Sequence, residues 1–259
     1  MCLIALAYKT AALGPLVLLA NRDEYYARPS APLDWWAPEH PDTLGGRDLK
    51  GGGSWLAVDR RGRFAAVTNI REGQARRGER TRGELVTRFV TGADSALAFA
   101  AWLKAEHGRY APFNLLFGQL DDLYHFHSRG ARLIRLTPGI HTLSNATLDT
   151  PWPKAQRLAE RLRGLARPPS EAEAFRWLAD DGMPPVEHLP NSGVGLALEK
   201  LLAPIFIKSR DYGTRSSMLL TVAGRGDVHF SELTWSMAGR EAGRRHYSLR
   251  PLQPHGRPL

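Results

Sequence analysis

Strand-like and helix-like stretches come in blocks along this chain, and that grouping restricts the fold more than any other feature. Regular alternation of strand and helix would build parallel βαβ units. Blocks of strands build antiparallel sheets with helices laid outside them. The first block holds Cys2 to Tyr8 and Leu16 to Ala20, with a Gly14-Pro15 turn, then Ser54 to Asp59 and Phe64 to Thr68 around a turn at Arg60 to Gly62. Two helices follow. Gly83 to Val90 gathers Leu85, Val86, Phe89 and Val90 on one face. Ser95 to His107 has Asp94 as N-cap and Leu97, Ala101 and Trp102 turned inward. Strands return at Asn114 to Leu120, Leu123 to His127, Arg132 to Leu136 and Ile140 to Ser144. Helices return at Trp152 to Ala166 and, begun by Ser170, at Glu171 to Ala179. A short helix within 193–201 precedes a last meander of Ile205 to Lys208, Ser217 to Ala223 and Asp227 to Thr234. Pro29 to Pro41 reads as loop carrying Trp35-Trp36, Arg71 to Arg82 as an exposed basic loop and Asp180 to Gly193 as proline-rich loop. No long linker or internal repeat divides the chain. The expectation is an α+β fold with one domain over 1–250 and a loose, proline-containing tail over 251–259.

Charge narrows the partners. The formal net charge is +9, which would suit nucleic acid, anionic lipid or an acidic substrate. The basic residues are spread along the chain except between Arg71 and Arg82, so nucleic-acid binding is not the expected main role. The longest apolar run, Leu13 to Ala20, is broken by Gly14-Pro15 and falls short of the roughly 20 residues a span needs. No membrane span, no signal peptide and a cytoplasmic location are the expectations. A small or amphipathic molecule is the expected partner; the oligomeric state is left open.

The chemistry centres on the single cysteine, Cys2. If Met1 is removed, Cys2 carries a free α-amine beside its thiol. An α-amine titrates at roughly 7.7–8.0 and a thiol near about 8.5, so nucleophile and base would sit on one residue. A small buried hydrophobe on a first strand is the competing reading. Polar groups at the ends of apolar strands weigh on that choice. Asn21-Arg22-Asp23-Glu24 follows Val17-Leu18-Leu19-Ala20, and Arg22 beside Cys2 would favour the thiolate. Asn69 and Asn145 could donate to an oxyanion, or simply end strands in turns. Arg215, before the strand at Ser217, could bind a carboxylate or steady a charged intermediate. His125-Phe126-His127 puts two imidazoles on one strand face without a third ligand at metal-like spacing, so neither metal nor cofactor is expected. Gly51-Gly52-Gly53-Ser54-Trp55 lacks the pattern of a phosphate loop. It reads as backbone room beside a site or a bulge.

In combination these motifs resemble the NRDE family, which includes eukaryotic transport and Golgi organisation proteins. The resemblance rests on Met1 to Ile4, Ala20 to Glu24, Gly45 to Asp48, Gly52 to Leu56, Thr68-Asn69, Leu143 to Ala146, Asp149 to Lys154 and Tyr212 to Ser217, and so covers nearly the whole chain. The family is more distantly similar to N-terminal-nucleophile hydrolases of the choloylglycine hydrolase and penicillin V acylase type. What this implies is a four-layer αββα sandwich of two mainly antiparallel sheets. It also implies Cys2 as nucleophile, with Arg22, Asp23, Asn69, Asn145 and Arg215 around it. The hydrolases order their Arg, Asn and Asp differently from Asn21-Arg22-Asp23-Glu24, so either Arg22 with Asp23 or Asn21 with Glu24 could fill those roles. The implied activity is hydrolysis of a non-peptide amide bond. The alternative is a binding or trafficking protein for haem or acyl lipids on the same scaffold.

Overall fold

The computed structural model describes residues 2–73, 77–237 and 239–251. Met1 and residues 252–259 of the expected tail lie outside the described residues, as do 74–76 of the basic loop. The fold is α+β: two antiparallel sheets lie face to face and helices cover each outer side. The first sheet has six strands in the order β10-β1-β2-β11-β12-β13. These are β1 (Cys2–Thr10), β2 (Gly14–Tyr25), β10 (Gly139–Leu143), β11 (Tyr212–Val222), β12 (Val228–Trp235) and β13 (Glu241–Leu249). The second sheet runs in sequence order through β3 (Ser30–Trp36), β4 (His40–Asp48), β5 (Leu56–Asp59), β6 (Arg63–Asn69), β7 (Phe113–Gln119), β8 (Asp122–His127) and β9 (Arg132–Arg135). Helices α1 (Gly83–Thr91) and α2 (Ala96–Glu106) cover the second sheet; α3 (Pro153–Arg163) and α4 (Glu171–Leu178) cover the first. A short α5 (Leu196–Leu201) completes the set among the described residues.

Side-chain alternation builds the layers. Ile4, Leu6 and Tyr8 of β1 and Leu16, Leu18 and Ala20 of β2 fill the space between the sheets. Their odd-numbered neighbours Leu3, Ala5, Ala7, Val17 and Leu19 pack under α3 and α4 instead. A strand buried on both faces reads as a continuous apolar run, which is why these two are plain in the sequence.

Several elements differ from expectation. The Pro29 to Pro41 segment is not a loop: it supplies β3 and the start of β4. β3 is an edge strand, where a proline such as Pro32 removes no needed ladder bond. Ser95, not Asp94, caps α2, its side chain accepting from Ala98 N at 3.2 Å. The inward residues of that helix are Phe99, Ala100 and Leu103; Leu97 is exposed. Ile205 to Lys208 forms no strand, and β13 arises from a largely exposed stretch. Ser170 caps α4 as expected, in a capping box with Glu173. No helix among the described residues is long and apolar enough to cross a membrane.

Candidate active site

β2 does not stop at Ala20. It runs on through Asn21-Arg22-Asp23-Glu24, because β1 pairs on one side (Cys2 opposite Arg22) and β11 on the other (Thr214 opposite Asp23, Ser216 opposite Arg22). The alternation seen in the core continues here. Arg22, like Cys2, belongs to the inter-sheet series, and Asn21 and Asp23 to the helix-side series. Asn21 is wholly buried. Its amide donates to Leu178 O (2.8 Å) and Ile205 O (2.9 Å) and accepts from Ser217 Oγ (2.6 Å). Asn21 therefore ties β2 to the helical layer, and it is absent from the walls of the cavity beside Cys2.

That cavity measures about 580 Å³ and opens where β1 begins. Cys2, Arg22, Asp23, Glu24 and Asn69 are on its walls, with Trp55 and the start of α1 across from them. Cys2 is partly open to the cleft while its surroundings are protein, and burial pushes its thiol pKa up; Arg22 acts in the opposite direction. The Arg22 guanidinium lies 4.1 Å from the Trp55 ring centroid, a cation–π stack. It is 4% exposed and its Nη1 has no hydrogen-bond partner among the described residues. Burial lowers its affinity for the proton, offset first by Cys2. Asp23 accepts from Thr214 Oγ1 at 2.7 Å, and Tyr212 Oη donates to the Asp23 carbonyl at 3.0 Å. Burial raises the Asp23 pKa, against Lys154 and the Thr214 hydroxyl. Glu24 accepts from the Tyr25 N–H and faces Arg28 at 3.8 Å.

Two expected residues stand behind the cleft rather than on it. Asn145 is buried and donates from Nδ2 to the Asn69 carbonyl at 2.9 Å, while its own carbonyl accepts from Arg71 N at 2.8 Å. It fixes the end of β6, leaving the Asn69 side chain, which makes no hydrogen bond among the described residues, at the cavity wall. Arg215 is the extra residue of a β-bulge between Thr214 and Ser216. Its Nη1 faces the carbonyls of Tyr25 (2.9 Å), Tyr26 (3.2 Å) and Arg28 (3.1 Å), so it clasps the turn leaving β2. It lines a second cavity of about 250 Å³, which shares Arg22 and Trp55 with the first.

Sequence reasoning missed three groups. Lys154, second residue of α3, is 4% exposed, donates to Leu202 O at 3.0 Å and is pushed down to about 8 by burial, with Asp23 pulling the other way. Arg71, expected in an exposed loop, is buried and paired with Glu199 at 2.5 Å. Glu232 of β12 is 1% exposed, accepts from Leu33 N at 2.9 Å and is pushed up to about 7 by burial. A charged residue next to apolar ones was the available signal for Lys154 and Glu232, and it does not separate a buried charge from one that reaches solvent. The glycine run after β4 has a clear task. A Cβ on Gly53 would fall 2.3 Å from Gly83 C, so backbone meets backbone where α1 begins, and Ser54 N donates to Gly83 O at 3.2 Å. The two imidazoles His125 and His127 converge on Asn114 Oδ1, at 3.0 and 2.7 Å.

Comparison with known proteins bears on this geometry. A family model described as Transport and Golgi organisation 2 matches residues 1–237. The Transport and Golgi organization protein 2 homolog of Bos taurus is 35% identical over 249 residues, covering 88% of this chain and 89% of its own length. The homolog of Homo sapiens is 34% identical over 237 residues, covering 84% and 85%. Among solved structures, a mutant conjugated bile acid hydrolase from Clostridium perfringens aligns with a TM-score of 0.50 at 9% sequence identity, over 95% of this chain and 92% of that one. The last likeness shows the fold alone.

Proposed function

The chain belongs to the Transport and Golgi organisation 2 family, and on that footing we propose that it is an N-terminal-cysteine hydrolase of a non-peptide amide bond. The observation that carries this reading is one cavity of about 580 Å³ walled by Cys2, Arg22, Asp23 and Asn69. With Met1 removed, the Cys2 α-amine takes the thiol proton and the thiolate attacks the substrate carbonyl. The Asn69 amide donates to the oxyanion; such a donor typically contributes about 3 kcal/mol to the transition state. The intermediate collapses, the C–N bond breaks, and the α-amine returns the proton to the leaving amine. Water, deprotonated by the same amine, then hydrolyses the thioester and releases the acid. Arg22 favours the thiolate, and Asp23 and Arg215 hold the amine and the β2 turn in position. Asn145 steadies Asn69.

A thiol-reactive acyl probe tests the reading. The natural sequence should label at Cys2 with an intact mass one methionine short, and Cys2→Ala should not label. Equal labelling of both would overturn it. Ligand binding without turnover is the second reading. It is favoured by the upward push of burial on the thiol, which leaves Cys2 less activated than an exposed cysteine.

A further inference from the structure

We infer that the molecule bound in the Cys2 cleft carries an anionic group, and that Arg82, on the wall opposite Cys2, is the residue that binds it. The inference rests on the hydrolase reading above and names its substrate class. Among the described residues, five arginines line the cleft (22, 28, 77, 80 and 82) against three carboxylates (23, 24 and 48). The carboxylates are already engaged. Asp48 pairs with Arg28 at 2.5 Å, Asp23 holds Thr214, and Glu24 takes the Tyr25 N–H and faces Arg28. Arg80 is matched from outside the cleft by Glu84 at 2.9 Å.

Arg82 differs from Arg28 and Arg80 in having no carboxylate partner among the described residues; Arg22 shares that but is stacked on the Trp55 ring. Arg82 stands at the N-cap of α1, and its Nη1 donates to the Pro112 carbonyl at 3.2 Å. No carboxylate of the described residues lies within ion-pairing distance of it. Arg82 is half-buried, and burial depresses its pKa, with Cys2 the first group acting against that. A half-buried guanidinium with one carbonyl partner and no counter-ion keeps donors open to an arriving anion. The position is fixed: the Gly53–Gly83 backbone contact seats the first residues of α1 against the loop that carries Trp55. A substrate with its carbonyl over Cys2 would therefore extend its anion across the cleft toward Arg82. Carboxylate and phosphate share the required chemistry.

Isothermal titration of the Cys2→Ala protein tests this without turnover, using N-octanoylglycine, N-octanoyl-phosphoethanolamine and the neutral N-octanoylglycinamide. One or both anions should bind at least about tenfold tighter than the neutral amide, and the tighter one identifies the anion. The preference should shrink in about 0.5 M salt. Adding Arg82→Gln should collapse it to within about twofold, and Arg82→Lys should keep most of it. Equal affinities, including no binding of any of the three, overturn the inference, and so does a preference that survives Arg82→Gln. Anion preference without hydrolysis by the Cys2 protein would sink the hydrolase reading and leave the anion site standing. Hydrolysis of anionic and neutral amides with equal kcat/KM would do the reverse.

Discussion

The two faces of the β1–β2–β11 ribbon at Cys2 carry similar residue types and treat them differently. On the helix side, Asn21 makes three hydrogen bonds, and Ser217 both donates to it and accepts from Trp235 Nε1 at 2.9 Å. On the inter-sheet side, Arg22 Nη1 is buried without a hydrogen-bond partner among the described residues, and buried Ser216 Oγ and Glu232 Oε2 have only each other nearby, short of good hydrogen-bond geometry. Buried polar groups are normally satisfied, so a cluster of exceptions marks where the fold leaves bonding capacity open. One face is a structural lock; the other borders two cavities that meet at Arg22 and Trp55.

Substitutions can break that contrast. The largest effect belongs to the lock. Asn21→Ala strands the Leu178 and Ile205 carbonyls and the Ser217 hydroxyl in a dry layer, and should cost about 4 kcal/mol in urea denaturation. A loss below about 1 kcal/mol would mean that the face is not locked. Next comes Glu232. Folded, it keeps its proton to about pH 7, whereas an unfolded glutamate loses it near 4.5. Stability from the protonated carboxyl is complete below 4.5 and is lost as pH rises to about 7. At about 1.4 kcal/mol per pH unit, Glu232→Gln should be more stable than the natural sequence by about 3 kcal/mol at pH 8, the gap closing near pH 5. A gap independent of pH would remove Glu232 from the open face.

Arg22→Met should leave stability level or raised, because it deletes a buried charge, yet slow iodoacetamide alkylation of Cys2 by about fivefold at pH 7.5. Unchanged alkylation would separate Arg22 from the thiol. The smallest effect is Ser216→Ala, expected within about 0.5 kcal/mol, against about 2 for Ser217→Ala one residue away. Equal costs would erase the distinction between the faces.

Much of this was legible in the residues. The apolar runs of β1, β2 and β6 and the blocks of strands and helices pointed to layered antiparallel sheets, and Cys2, Arg22 and Asn69 do meet at one cavity. What was hidden depends on contacts distant in sequence. Asn21 to Glu24 looked like the end of a strand because polar residues usually end one; here two neighbouring strands continue the ladder past them. β3 and β13 are edge strands, where solvent on one side erases alternation. The phase of α2 was misjudged because its composition is apolar nearly all round, so periodicity had little to choose between. The bulge that turns Arg215 onto the carbonyls after β2 leaves no mark in composition, and nothing in Trp152-Pro153-Lys154 announces a buried ammonium beneath Asp23.

The contact of Gly53 with Gly83 has a consequence for how such a cleft can change. The aperture between Cys2 and Arg82 is calibrated by a hydrogen atom where every other residue type would bring a carbon. Any side chain at 53 would force that backbone contact apart, shifting the seat of α1 against the loop that carries Trp55. The wall that carries Arg82 is thus held by a position that tolerates glycine alone, far in sequence from Cys2.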